Sequence, residues 1–147
     1  MKRNWMAFCL AAALMTAGTV YAKPAPSQLV PEKHGQCYVE DNLFVKDVNG
    51  AGGGQGVLHG DFAFRREQAL KTDAIKEIGW MTLKPGSYIG SHTHKDNEDA
   101  YLIISGKGIF TDGNGHAWVV GAGDMTIARP GQTHGLANLG KEDLVFL

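Results

Sequence analysis

Turn signals return about every 8–12 residues along the second half of this chain, and that spacing limits the fold more than any other feature. KPGS (84–87), KDNE (95–98), SGKG (105–108), DGNG (112–115), GAGD (121–124), RPGQ (129–132) and NLGKE (138–142) separate short runs rich in β-branched and aromatic residues. Runs such as YIGSHTH, DAYLII, HAWVV and THGLA are too short for helices and dense in strand formers. Together they predict an all-β sandwich or barrel. Asp112-Gly113-Asn114-Gly115 reads as a hairpin turn, because both glycines can take the positive φ such turns need. REQALKTDA (66–74) is the one stretch that predicts a short helix.

At 147 residues the chain suits one domain, preceded by a segment of different character. Residues 1–22 begin with Lys2 and Arg3, run apolar from Trp5 to Val20 and end in Val20-Tyr21-Ala22. A basic start, a short apolar stretch and small residues at the end predict a signal peptide cleaved after Ala22, hence an exported, periplasmic or secreted protein. The apolar part is too short to span a membrane, so no membrane association is expected after cleavage. Residues 23–36 (KPAPSQLVPEKHGQ) hold three of the five prolines and predict an extended arm, leaving 37–147 as the folded domain.

Cleavage would leave 12 basic residues against 15 acidic, a net charge of −3. That balance gives no electrostatic footprint for nucleic acid. Cys9 would leave with the peptide and Cys37 would remain alone, so no internal disulfide can form. Within QCYVED, Cys37 is expected as a buried strand residue. The glycine-rich stretch Asn49 to Gly56 lacks the Lys-Ser/Thr of a phosphate loop, since Val57-Leu58 follow, and reads as a flexible turn.

The chemistry concentrates in GSHTHKDNEDAY (90–101). Residues two apart on a strand share a face, so His92 and His94 point the same way. Turned inward, two neutral imidazoles converge on one point, and a metal is the usual reason for such placement. Glu98 or Asp99 can return a carboxylate to that point after the turn, and His134 can add a third imidazole from a distant strand. His34, His59 and His116 have no partners at useful spacing and are read as surface or local hydrogen-bonding residues. Tyr88, Tyr101 and Ile103 share strand parity with these candidates and could line a pocket, as could Arg129 at its mouth. Trp80, Phe110, Trp118, Met125 and Ile127 could line it too, though most of them are expected in the core.

Laid along the chain, these residues resemble the two motifs of the cupins. The first motif runs Gly, five residues, His-x-His, three or four residues, Glu, six residues, Gly; here Gly86, His92, His94, Asp99 and Gly106 fall in register. The second runs Gly, five residues, Pro-x-Gly, two residues, His, three residues, Asn; here Gly123, Gly131, His134 and Asn138 fall in register. The chain departs at Asp99, one methylene shorter than the motif glutamate, while Glu98 fits only the shorter spacing. It departs again at Arg129, where the motif has proline. The resemblance covers residues 75 to 147 and implies a single jelly-roll barrel in which His92, His94, His134 and one carboxylate hold one divalent metal. Mixed imidazole and carboxylate ligation suits Mn, Fe, Co, Ni, Cu or Zn rather than Ca or Mg. The resemblance also implies a small-molecule ligand and a homodimer. Function divides into a metal-dependent enzyme (oxygenase, isomerase or decarboxylase) acting on a small organic acid or sugar-like molecule, placed first, and a non-catalytic module that binds a small ligand or the metal. Fold alone does not choose between them.

Overall fold

The structure is a computed structural model and describes residues 37–147. The expected signal peptide, the arm at 23–36 and His34 lie outside the described residues.

Alternation of apolar and polar residues builds ten strands among the described residues. They are β1 (Phe44–Asn49), β2 (Val57–Phe64), β3 (Ile78–Leu83), β4 (Tyr88–Thr93), β5 (Asp99–Ser105), β6 (Lys107–Asp112), β7 (Ala117–Gly121), β8 (Met125–Ala128), β9 (Thr133–Ala137) and β10 (Leu144–Phe146). A six-stranded sheet runs β1-β2-β3-β10-β5-β8 and a four-stranded sheet runs β4-β9-β6-β7. All pairings are antiparallel. The two sheets form a jelly roll, as expected, and are not joined into one closed hydrogen-bonded barrel.

The core lies between the sheets. Leu83, Tyr101, Ile103, Leu144 and Phe146 come from the large sheet, and Ile89, Phe110, Val120 and Leu136 from the small one. Each is the inward member of a period-2 pattern, which removes apolar area from water at about 25 cal/mol per Å2. The four motif glycines, Gly86, Gly106, Gly123 and Gly131, all adopt φ between 80° and 93°. At Gly106 a side chain would also collide with the backbone of Asp143 and Leu144, so the turn between β5 and β6 closes only around glycine.

Four expectations are corrected. Residues 66–74 form turns, not a helix. There the Gln68 side chain accepts from the Arg65 N–H at 2.9 Å and the Asp73 carboxylate from the Leu70 N–H at 2.7 Å, replacing helical hydrogen bonds with local ones. Cys37 is exposed and, among the described residues, lies before the first strand; a short 3-10 turn at Glu40–Asn42 follows. Trp80, Trp118, Met125 and Ile127 are exposed, because each sits at the outward parity of its strand; Phe110 alone of that group is core. The glycine stretch is a packed support: a 3-10 turn at Ala51–Gly53 lies on β4, and Gln55 bridges to Tyr88 through N–H···O bonds of 3.1 and 2.9 Å.

Candidate metal centre

β4 and β9 pair with His92 directly opposite His134. Both side chains face inward, and His94 follows two residues after His92, at the same parity and just past the end of β4. The backbone fixes it there, since the His94 N–H donates to Gln132 O at 3.0 Å and its carbonyl accepts from the Gly131 N–H at 2.6 Å. Asp99 opens β5 opposite Ala128 of β8. One ligand atom from each of His92, His94, Asp99 and His134 lies within 4.8 Å of all the others.

The His94 Nε2 atom is the hub, 3.1 Å from His92 Nε2 and 3.0 Å from His134 Nε2. The Asp99 Oδ2 atom lies 3.4 Å from both His94 Nε2 and His134 Nε2. Ligands at right angles around one ion are separated by 1.41 times the metal–ligand distance. The two nitrogen separations therefore match metal–nitrogen bonds of about 2.1–2.2 Å, close to the usual range for divalent transition metals. A tetrahedral shell at those bond lengths needs nitrogens about 3.4 Å apart. The two Asp99 separations lie at that longer value, and the cluster as a whole can hold a metal.

Supporting contacts aim the rings. The Gly90 carbonyl can only accept, so His92 Nδ1 carries the proton and donates to it at 2.9 Å, leaving Nε2 bare. Asn97, on the turn after His94, places its amide 3.0 Å from His94 Nδ1. His134 is 1% exposed, and its Nδ1 has no hydrogen-bond partner. Aromatic packing orients this ring instead: Tyr101 stacks on it at 5.1 Å and 20°, and Phe110 meets it edge-on at 5.8 Å. The Tyr101 hydroxyl donates to the Asp99 carboxylate.

Electrostatics leave His94 and Asp99 in the protonation states a metal needs. Burial pushes the His94 imidazole below the usual histidine range, against the opposing pull of Asp99, and His134 and His92 add to the lowering. Burial works to raise the Asp99 carboxyl, but hydrogen bonds from His134 and Tyr101 and the adjacent imidazoles hold it below the usual carboxylate range. Burial and the Asp99 charge push the Tyr101 hydroxyl well above its ordinary value. At neutral pH His94 is therefore neutral, Asp99 ionised and Tyr101 protonated.

The other candidates lie elsewhere. Glu98 is exposed and faces Arg129 at 3.7 Å, outside the converging group, although it lines the cavity beside it. Arg129 is likewise exposed and directed at Glu98, while its neighbour Pro130 lines the cavity beside the cluster. Tyr88 is 39% exposed beside Gln55, and Ile103 is core at 1% exposure; neither lines that cavity. Tyr101 does. His59 pairs with Asp47 at 2.6 Å and His116 with Asp112 at 3.2 Å, local roles as expected. The cavity, about 1100 Å3, opens from His92, His94, Asp99 and Tyr101 toward Met81, Leu102, Thr126, Ile127 and the 66–77 loop.

Sequence reading missed the supporting residues Asn97 and Gly52. Asn97 stood inside the quoted stretch, but nothing in its spacing marks a histidine partner. A side chain at Gly52 would stand 2.9 Å from His92 Nδ1 and 2.8 Å from Gly90 O, and φ there is +59°. Gly52→Ala is expected to break the hydrogen bond that aims His92 and to lower metal affinity about 10–100-fold. Competition against a chelator reads this directly; affinity equal to wild type would detach Gly52 from the site.

Comparison with known proteins converges on this reading. Residues 79–147, just under half of the chain, match the cupin domain family. The chain is 40% identical over 67 residues to the oxalate-binding protein of Thermotoga maritima, a match covering 46% of this chain and 54% of that one. It thus spans about half the length of that relative. A solved Thermotoga maritima structure described as a predicted oxalate decarboxylase is 27% identical, with TM-score 0.67, and the match covers 76% of this chain and 94% of that one. An uncharacterised double-stranded β-helix protein from Klebsiella pneumoniae is 27% identical, with TM-score 0.56, covering 77% and 86%.

Proposed function

We propose that this chain is an exported, metal-dependent cupin that binds a small carboxylate of the oxalate class, its metal held by His92, His94, Asp99 and His134. The observation that carries the reading is the convergence of three imidazoles and one carboxylate, of which His92, His94 and Asp99 line a cavity. Three neutral imidazoles and one carboxylate leave a divalent ion with one net positive charge, which favours an anionic ligand. A metal so bound would act as a Lewis acid on ligand oxygens. Met81 and the Tyr101 ring reach the cavity from the inner face of the large sheet, and such apolar surface strengthens that attraction by lowering the local dielectric. The descriptions of the two Thermotoga maritima relatives support oxalate as the first ligand to try.

Binding is placed before turnover because the curated Thermotoga maritima relative is described as oxalate-binding; burial and the Asp99 charge also make the Tyr101 hydroxyl a poor proton donor. Turnover of the same acid is the second reading, favoured by the decarboxylase description of the solved relative. Export rests on the character of residues 1–22. A homodimer is supported by the apolar outer face of the large sheet, where Trp80, Ile104, Met125 and Ile127 are exposed. The test is calorimetric titration of the manganese-loaded protein with oxalate, followed by an assay for formate. Saturable binding that vanishes in the metal-free protein is expected, and formate release would establish turnover. No binding with metal in place would remove oxalate from the reading.

A further inference from the structure

The turn after β4 reads Lys95-Asp96-Asn97-Glu98, and of these four polar residues only Asn97 is half-buried. Its amide nitrogen, Nδ2, lies 3.0 Å from His94 Nδ1 and 3.2 Å from the Glu98 carbonyl oxygen. A carbonyl can only accept, so the N–H side of the amide must face it; turned the other way, two oxygens would face each other. An amide nitrogen can only donate, so Asn97 gives one N–H to Glu98 O and the other to His94 Nδ1. His94 Nδ1 is therefore bare, and the neutral ring carries its proton on Nε2. This is the reverse of His92, whose Nδ1 donates to Gly90 O and whose Nε2 is bare. The His94 Nε2–H has a matched acceptor in His92 Nε2 at 3.1 Å. The same nitrogen faces His134 Nε2 at 3.0 Å and Asp99 Oδ2 at 3.4 Å. A metal held by the cluster needs that nitrogen bare.

We propose that Asn97 is a positioning residue that chooses which nitrogen of His94 carries the proton, and that its amide turns over when the cluster takes up a metal. This rests on the metal-binding reading given above and deepens it. With Nδ2 toward His94, the proton sits on Nε2 and no lone pair of this ring faces the centre. With Oδ1 toward His94, the proton sits on Nδ1, where the amide oxygen accepts it, and Nε2 is free to ligate. The ring stays neutral in both arrangements: one proton passes from Nε2 to water and one returns from water to Nδ1. The turned amide gives up its bond to Glu98 O, so one hydrogen bond on a half-buried turn opposes metal uptake. Asparagine suits this role because its amide offers both a donor and an acceptor, whereas an aspartate offers acceptors alone.

The test is nitrogen NMR of the histidine rings in the full chain at mildly alkaline pH, first after chelation and then with zinc, which is diamagnetic. Chelated wild type is expected to show His94 protonated at Nε2 and His92 at Nδ1. Zinc is expected to move the His94 proton to Nδ1 and to leave the His92 proton where it was. Asn97→Asp, which can only accept, is expected to show His94 Nδ1 protonated before any zinc is added. A purely structural role for Asn97 would move none of these signals. Chelated wild type already protonated at His94 Nδ1 would overturn the proposal. So would Asn97→Asp still protonated at Nε2 alone, or zinc bound with the His94 proton left on Nε2. Failure of zinc to bind wild type is a separate result: it removes the metal reading and the turnover with it, while the chelated spectra still decide whether Asn97 sets the His94 proton.

Discussion

His94→Ala is expected to bind less than about one tenth of the metal bound by wild type under equal loading, measured by elemental analysis of protein purified without an affinity tag. The size of the effect follows from the position of the ring. His94 Nε2 is 3.0–3.1 Å from both other imidazoles and 3.4 Å from Asp99, so its removal takes away the atom that all the others face. The loss should not be a folding artefact. His94 follows the end of β4, and its anchoring hydrogen bonds to Gln132 and Gly131 are made by its backbone, which alanine keeps. An unchanged circular dichroism spectrum with metal absent is the expected pair of results. Full metal retention in a folded variant would sink the site.

The carboxylate is separated by a companion pair. Asp99→Asn keeps the shape and can still accept from Tyr101 but removes the charge, and should lower metal affinity at least tenfold. Glu98→Gln should leave it unchanged, because Glu98 faces Arg129 on the surface. Equal effects from both would return the question to the two spacings between which the sequence alone could not choose.

Much of the centre was legible because its constraints are local. His92 and His94 announce a shared face by parity alone, and the motif glycines mark turns that require positive φ. Whether Glu98 or Asp99 turns inward depends on where β5 begins, which is set by the pairing of Asp99 with Ala128, twenty-nine residues away. β2 was not assigned from sequence; in the sheet a side chain at Gly60 would run into the Phe62 ring, so the glycine makes room for packing there. The helix expected at 66–74 failed because side chains of Gln68 and Asp73 supply turn hydrogen bonds that a propensity argument does not count.

Asn138→Ala is expected to destabilise the fold by about 3–5 kcal/mol, near the top of the range for one substitution. Asn138 is fully buried. Its Nδ2 donates to the Leu83 and Glu142 carbonyls, each at 2.8 Å, and its Oδ1 accepts from the Gly140 N–H at 2.9 Å. Three backbone groups from β3 and from the loop before β10 thus converge on one amide. Alanine leaves all three unpaired at about 1–3 kcal/mol each, and they share that cost because the loop can relax toward water. The melting temperature should fall on the order of 15 °C. The location gives the result its meaning: Asn138 closes the second motif in sequence, yet it touches none of the four converging side chains. The folded fraction of Asn138→Ala should therefore still load metal to wild-type stoichiometry at low temperature. Lost metal with an intact melting temperature would reverse the assignment, making Asn138 part of the site; a loss below about 1 kcal/mol would show that water replaces the amide at no cost.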